Sequence, residues 1–340
     1  MSRKVSDFIF SFGVMVLGVG AVLLASVTIA PRSLKPAKQP VAIVLPAGAQ
    51  SSGGDLEVPV IPVARPAVPL LNSTSSFSRP LTAIAVLVVD DKTSTVLFNK
   101  QSSGVRPLAS LTKLMSALVL LDLPINWQTT TTVTEEDSDG SSHHVAVGEV
   151  FTLEDLWHIA LIGSSNSSIA ALVRASGLKE DQFVARMNEK ATALRLPSLR
   201  FVEPTGLNSG NVGNAYDVAR LLRFAHESEK IDATLRVGEY YAHPLNKAKP
   251  RRVWSTDWLI TNWVPNTFLK DSIVGKTGYT AEAGYNFVVR LADDKGRTIR
   301  AAILGAASNE ARFTEARDLA EWVFDNFLWP DEPGYDKLAE

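Results

Sequence analysis

The chain contains no cysteine among its 340 residues. That excludes thiol nucleophiles, disulfide staples and cysteine-bound zinc. Histidine is scarce too, with five copies, and His143 and His144 are sequence neighbours that rarely face one ion. No H-E-x-x-H or comparable ligand spacing occurs, so we expect no metal and no cofactor. Charge of one sign is also lacking. A net charge of −2 gives no reason to expect nucleic acid. The basic cluster Lys247, Lys249, Arg251 and Arg252 is local and reads as a solvated loop. No internal repeat is evident.

What the chain has is 46% hydrophobic residues, enough to bury a full core in one domain of about 250 residues. Residues 8–30 carry no charge. As a helix they would span roughly 34 Å, long for the apolar part of a cleaved signal peptide. Pro31 is a poor residue to follow a cleavage site. We therefore expect an uncleaved anchor at 8–30 behind a short cytoplasmic tail at 1–7. Arg3 and Lys4 before the span are balanced by Arg32, Lys35 and Lys38 after it, so charge does not orient it. Residues 31–80 hold nine of the 18 prolines and read as an extended linker.

The folded domain is expected over 81–330, with a tail at 331–340. TAIAVLVVD and TVLFNK read as strands around a DDKTS turn. Helices are expected over 153–163, 166–176, 180–194 and 214–227, then three strands, DSIVGKTGY, GYNFVVRLAD and TIRAAILGA. An amphipathic helix over 310–329 closes the domain. This predicts an α/β (α+β) fold: an antiparallel sheet built from both ends of the domain, flanked by helices, with an all-helical block inserted.

The stretch PLASLTKLM places Ser110 and Lys113 three residues apart, beside a proline where helices often begin. On a helix the two side chains share a face. The pair could be a capping serine with a lysine that snorkels to solvent, or a nucleophile with its base. Two further triplets bear on the choice: Ser164-Ser165-Asn166 after an apolar helix, and Lys276-Thr277-Gly278 in a strand. Each is weak alone. Ser209-Gly210-Asn211 and Lys92-Thr93-Ser94 imitate them in turns.

The order S-x-x-K, S-x-N, K-T-G resembles that of penicillin-binding proteins and serine β-lactamases. ASLTKLMSALVLL, FVEPTGLNSGNV, MNEKATAL and VGKTGYTAEAGYNFVV are similar to the low-molecular-mass D-alanyl-D-alanine carboxypeptidases and endopeptidases of peptidoglycan. FVEPTGL is most similar to the endopeptidase branch. The resemblance spans residues 82 to 328. It implies Ser110 as nucleophile, Lys113 as its base and Ser164 as proton relay. It implies Asn166, Lys276, Thr277, Gly278 and Tyr279 as the substrate-binding set, with the Ser110 and Tyr279 backbone N–H groups as the oxyanion hole. Gly278 would keep the strand edge open for a substrate strand. Partial burial and the charge of Lys276 would both lower the Lys113 pKa. The implied partners are peptidoglycan stem peptides, with β-lactam antibiotics as inhibitors. The catalytic domain would then lie on the periplasmic, extracytoplasmic side of the inner membrane. Two alternatives remain at this point. A class A-like β-lactamase would need an E-x-x-L-N glutamate, and Glu203 through Asn208 has one residue too many. A non-catalytic cell-wall scaffold would keep the fold alone.

Overall fold

The computed structural model describes residues 67–339 apart from residue 75 and residues 141–143. The expected anchor at 8–30 and the linker up to residue 66 lie outside the described residues. Among the described residues no helix is long and apolar enough to cross a membrane.

Five strands form one antiparallel sheet: β1 (Ala85–Asp90), β2 (Val96–Lys100), β3 (Val274–Thr280), β4 (Gly284–Ala292) and β5 (Thr298–Ala306). Their order is β3-β4-β5-β1-β2, so both ends of the domain build the sheet, as expected, and β3 is an edge. Alternate residues of β5 serve two cores. Ala302 and Leu304 face the helical block, while Ile299, Ala301 and Ile303 face the other side. A sheet covered on both faces needs apolar side chains on both, which is why these strands read as unbroken apolar runs.

Between β2 and β3 lie helices α1 (Thr112–Leu121), α2 (Leu153–Ile162), α3 (Asn166–Ala175), α4 (Glu180–Ala193), α5 (Ala215–His226) and α6 (Glu229–Leu235). Nine of the ten residues of α1 are buried, so it is the block's central rod. Helix α7 (Asn309–Asn326) covers the opposite face with Phe313, Leu319 and Val323. A small hairpin, Glu239–Ala242 with Arg251–Trp254, lies between α6 and β3.

Three boundaries differ from expectation. Pro107 does not open a helix. It sits in a two-residue strand paired with Val212–Gly213, and helical turns begin at Ala109. Residues 67–80, assigned to the linker, are folded onto the domain. Leu70–Leu71 pairs with Phe327–Leu328, and Phe77 packs edge-on against Phe98 and Trp322. The segment after residue 330 is no free tail either, since Tyr335 is buried and its hydroxyl donates to the Val68 carbonyl. Proline content hid both, because apolar anchors spaced along an irregular segment leave no periodic signal.

Candidate active site

Ser110 lies in a single 3-10 turn, Ala109–Leu111, that runs directly into α1. Ala109 takes φ +50°, an unusual value for a residue with a Cβ, and this turns the serine out of the helix line. Lys113, one turn on, is fully buried. Its Nζ donates to Ser110 Oγ at 2.8 Å, Asn166 Oδ1 at 2.5 Å and the Thr205 carbonyl at 2.6 Å. Three acceptors match the three donors of an ammonium. Burial pushes the Lys113 pKa down from 10.5 to about 7, against the opposing pull of Glu203 and Asp139. The snorkelling alternative is thus excluded. One part of the expected cause needs correction: burial is complete rather than partial, and it is the leading cause.

Ser164 sits in the turn between α2 and α3 with φ +60°. The capping residue of α3 is Ser165, whose hydroxyl accepts from the Ser168 N–H, which leaves Ser164 free of that task. Lys276 Nζ donates to Ser164 Oγ at 2.7 Å and to the Thr277 carbonyl at 3.0 Å. Burial first, then the Lys113 and Arg312 charges, push its pKa well down. Asn166, the first residue of α3, donates from Nδ2 to Asp139 Oδ2 at 2.8 Å, which fixes its amide so that Oδ1 faces Lys113. The three triplets therefore meet in one cluster. Asn211 of the imitating S-x-N is instead buried in loop structure, where its Oδ1 accepts from the Val202 N–H.

Gly278 has a geometric role beyond the one expected. A Cβ there would lie 2.8 Å from the Leu108 carbonyl and 3.0 Å from the Ser110 nitrogen. The bare glycine lets β3 press against the nucleophile's own turn, which brings the Ser110 N–H beside the strand that carries Tyr279. The Tyr279 side chain is exposed and stacks on Tyr285 at 4.2 Å. Asn286 staples the same contact by donating to the Pro107 and Leu108 carbonyls, both at 3.1 Å.

The loop FVEPTGLN supports the base. The Glu203 carboxylate accepts from Thr205 and Gly206 N–H groups at 2.6 Å and from Asn211 Nδ2 at 2.7 Å. These bonds aim the Thr205 carbonyl at Lys113. A carboxylate consumed by its own loop activates no water, which removes the class A β-lactamase reading.

Several participants carry no motif signal. Thr256 shares a 2.6 Å hydroxyl contact with Thr277. Arg312 of α7 donates to the Gly278 and Asn286 carbonyls at 3.2 Å. Asp257 is buried under β3 with Oδ2 unpartnered, and burial raises its pKa to about 6. Asp139, which holds the Asn166 amide, belongs to none of the three triplets.

Fold and cluster together define an active-serine hydrolase in which lysine stands beside the nucleophile. The chain belongs to the D-alanyl-D-alanine carboxypeptidase family, whose family model matches residues 72–308. It is 32% identical over 251 residues to a D-alanyl-D-alanine endopeptidase of Pseudomonas aeruginosa, covering 72% of this chain and 78% of that one. A D-alanyl-D-alanine carboxypeptidase, DacF, of Bacillus subtilis is 27% identical, covering 72% of this chain and 63% of that one. Among solved structures, the D-alanyl-D-alanine carboxypeptidase of Mycobacterium tuberculosis H37Rv superposes with a TM-score of 0.66 at 24% identity. That match covers 77% of this chain and 97% of the other, and it shows the shared fold.

Proposed function

We propose that this protein is a serine DD-peptidase that cuts D-alanyl peptide bonds of peptidoglycan through an acyl-enzyme at Ser110. The observation that carries the reading is the 2.8 Å contact between Ser110 Oγ and a buried Lys113 whose pKa stands near 7. A neutral lysine is rare at that pH, and it can take the serine proton as Oγ attacks the carbonyl. The negative charge that forms on the carbonyl oxygen falls to the backbone N–H groups of Ser110 and Tyr279. Ser164, bonded to Lys276, relays the proton that Lys113 took up to the leaving amine, which returns Lys113 to its neutral form. Lys276 and Thr277 hold the substrate carboxylate, and that anion raises the Lys276 pKa again by direct attraction. Asn166 lines the peptide, and Gly278 keeps β3 close. Water then releases the acyl group. A β-lactam would acylate Ser110 by the same route and leave slowly.

Crosslink cleavage is the favoured reaction. The FVEPTGL loop and the endopeptidase name of the Pseudomonas relative support it. Purified protein is expected to cut crosslinked muropeptide dimers at least as fast as it strips D-alanine from monomer pentapeptides. Fluorescent penicillin should label Ser110 alone, and label that persists on Ser110→Ala would overturn the assignment.

The charge-free stretch 8–30 supports a retained membrane anchor, with the catalytic domain outside the cytoplasmic membrane where its substrate lies. The 36 residues from 31 to 66, at roughly 3 Å each, could reach about 110 Å. Mass spectrometry of membrane-extracted protein should find the N-terminal peptide intact. A mature start near residue 31 would make the stretch a signal peptide.

A further inference from the structure

The hairpin Glu239–Ala242/Arg251–Trp254 has two unlike faces. Its inner face packs inward through Val253, which crowds Gly163 just before Ser164. Its outer face carries Glu239, Tyr241, Arg252 and Trp254, set side by side by the pairs Glu239↔Trp254 and Tyr241↔Arg252. The Arg252 guanidinium lies 4.1 Å from the Trp254 ring centre and 5.9 Å from that of Tyr241, and it is ion-paired to Glu239. Trp263 continues the row, 5.9 Å from Trp254. Tyr241, Trp254 and Trp263 are 49%, 39% and 54% exposed. Three large rings left in water in one row are unusual on a protein surface and mark a binding site.

The row is joined to the catalytic cluster by a short stretch of chain. Only Ser255 separates Trp254 from Thr256, whose hydroxyl bonds to Thr277. Two residues of chain span at most about 7 Å, so Trp254 lies no farther than that from Thr256. The ring faces, the neutralised Arg252–Glu239 pair and the extended shape suit a pyranose chain. A sugar ring offers C–H groups to an aromatic face, and its hydroxyls exchange hydrogen bonds with a guanidinium or carboxylate.

We propose that this ridge is a subsite for the glycan strand from which the leaving stem peptide hangs. The inference rests on the peptidoglycan reading above and extends it from the peptide to the sugar. The ridge lies on the side of Thr277, which holds the carboxylate of the leaving part, and in a crosslinked substrate that part is a second stem peptide that hangs from its own sugar. Val253 behind the ridge ties its position to the Ser164 turn, so a sugar seated there also registers the peptide.

The test uses the full-length protein and two substrates: crosslinked muropeptide dimers that carry their disaccharides, and the same dimers after an amidase has removed the sugars. Trp254→Ala is expected to raise KM for sugar-bearing dimers about five- to tenfold, the loss of one aromatic stack. KM for sugar-free dimers and acylation by penicillin should stay within about twofold by the same reasoning. Trp254→Tyr should restore most of the loss. Chitotetraose should quench the tryptophan fluorescence of the wild type and not that of Trp254→Ala. The proposal falls if both dimers are affected alike or neither is, or if chitotetraose leaves the fluorescence unchanged. It also falls if the variant's lost binding is to anionic lipid vesicles. If neither dimer is cut, the peptidoglycan reading fails, and chitotetraose quenching still decides the sugar site on its own.

Discussion

Lys113 is where the chemistry is concentrated in one side chain. Its pKa is lowered to about 7 by burial, so the amine is protonated below that pH and neutral above it. Acylation by penicillin should therefore climb as pH rises through about 7 and level off above. A rate constant flat from pH 6 to 9 would place the base elsewhere. Lys113→Arg keeps a cation at every accessible pH and should acylate slower by roughly a hundredfold or more. Stability runs in parallel. The unfolded chain holds the lysine proton up to about 10.5, whereas the folded chain gives it up near 7. Between those values the unfolded state binds more protons, so this group makes folding less favourable as pH falls from about 10 to 7. Lys113→Met should gain on the wild type in urea midpoint across that window. Ser110, Lys113, Ser164 and Lys276 were all legible because each stands in a short fixed pattern. Asp139, Thr256 and Arg312 were not, since they act across gaps of 27, 21 and 34 residues that only folding closes.

At the level of elements, the site depends on two places where backbone meets backbone. Gly278 of β3 lies against the Ser110 turn, and Gly206, at φ +97°, would put a Cβ 2.1 Å from the Ala109 carbonyl. Neither neighbour is a side chain that can swing away. Gly278→Ala should push the strand off the nucleophile and slow acylation by about a hundredfold with modest loss of stability, as a misplacement near 1 Å does. Gly206→Ala adds strain to the clash and should lower unfolding free energy by about 2 kcal/mol. Acylation rates and urea transitions measured on the same preparations separate the two effects. The long elements were legible because apolar residues recur at the right period. The hairpin at 239–254 was not, since its strands are four residues each, polar on one face, and separated by a loop rich in lysine and proline.

At the largest scale described, the sequence read correctly as a sheet assembled from both ends of the domain, because chemistry and strand pattern agreed. The domain's edges were misread, and that has a measurable outcome. A protein starting at residue 67 keeps the Leu70–Leu71 pairing and Phe77 in its ring cluster with Phe98 and Trp322. One starting at residue 81 loses them, exposes Trp322 and Phe327, and should melt roughly 5 °C or more lower, with penicillin acylation at 25 °C little changed. Equal melting temperatures would show that residues 67–80 contribute nothing.

The same clasp sets how the molecule meets a pull. Residue 67 enters beside Val68, held by Tyr335, and a few residues on the Asn72 N–H bonds to the Asn326 carbonyl at 2.7 Å. Trp329, next along that segment, bonds to Asp90 at the far end of β1, whereas Lys276 shares its row with Val288, Ala302 and Leu87. If the chain is anchored as proposed, tension on residue 67 enters beside this two-residue strand pair. A pull that parts this pair would reach β1 at Asp90, away from the Leu87 row that aligns with Lys276.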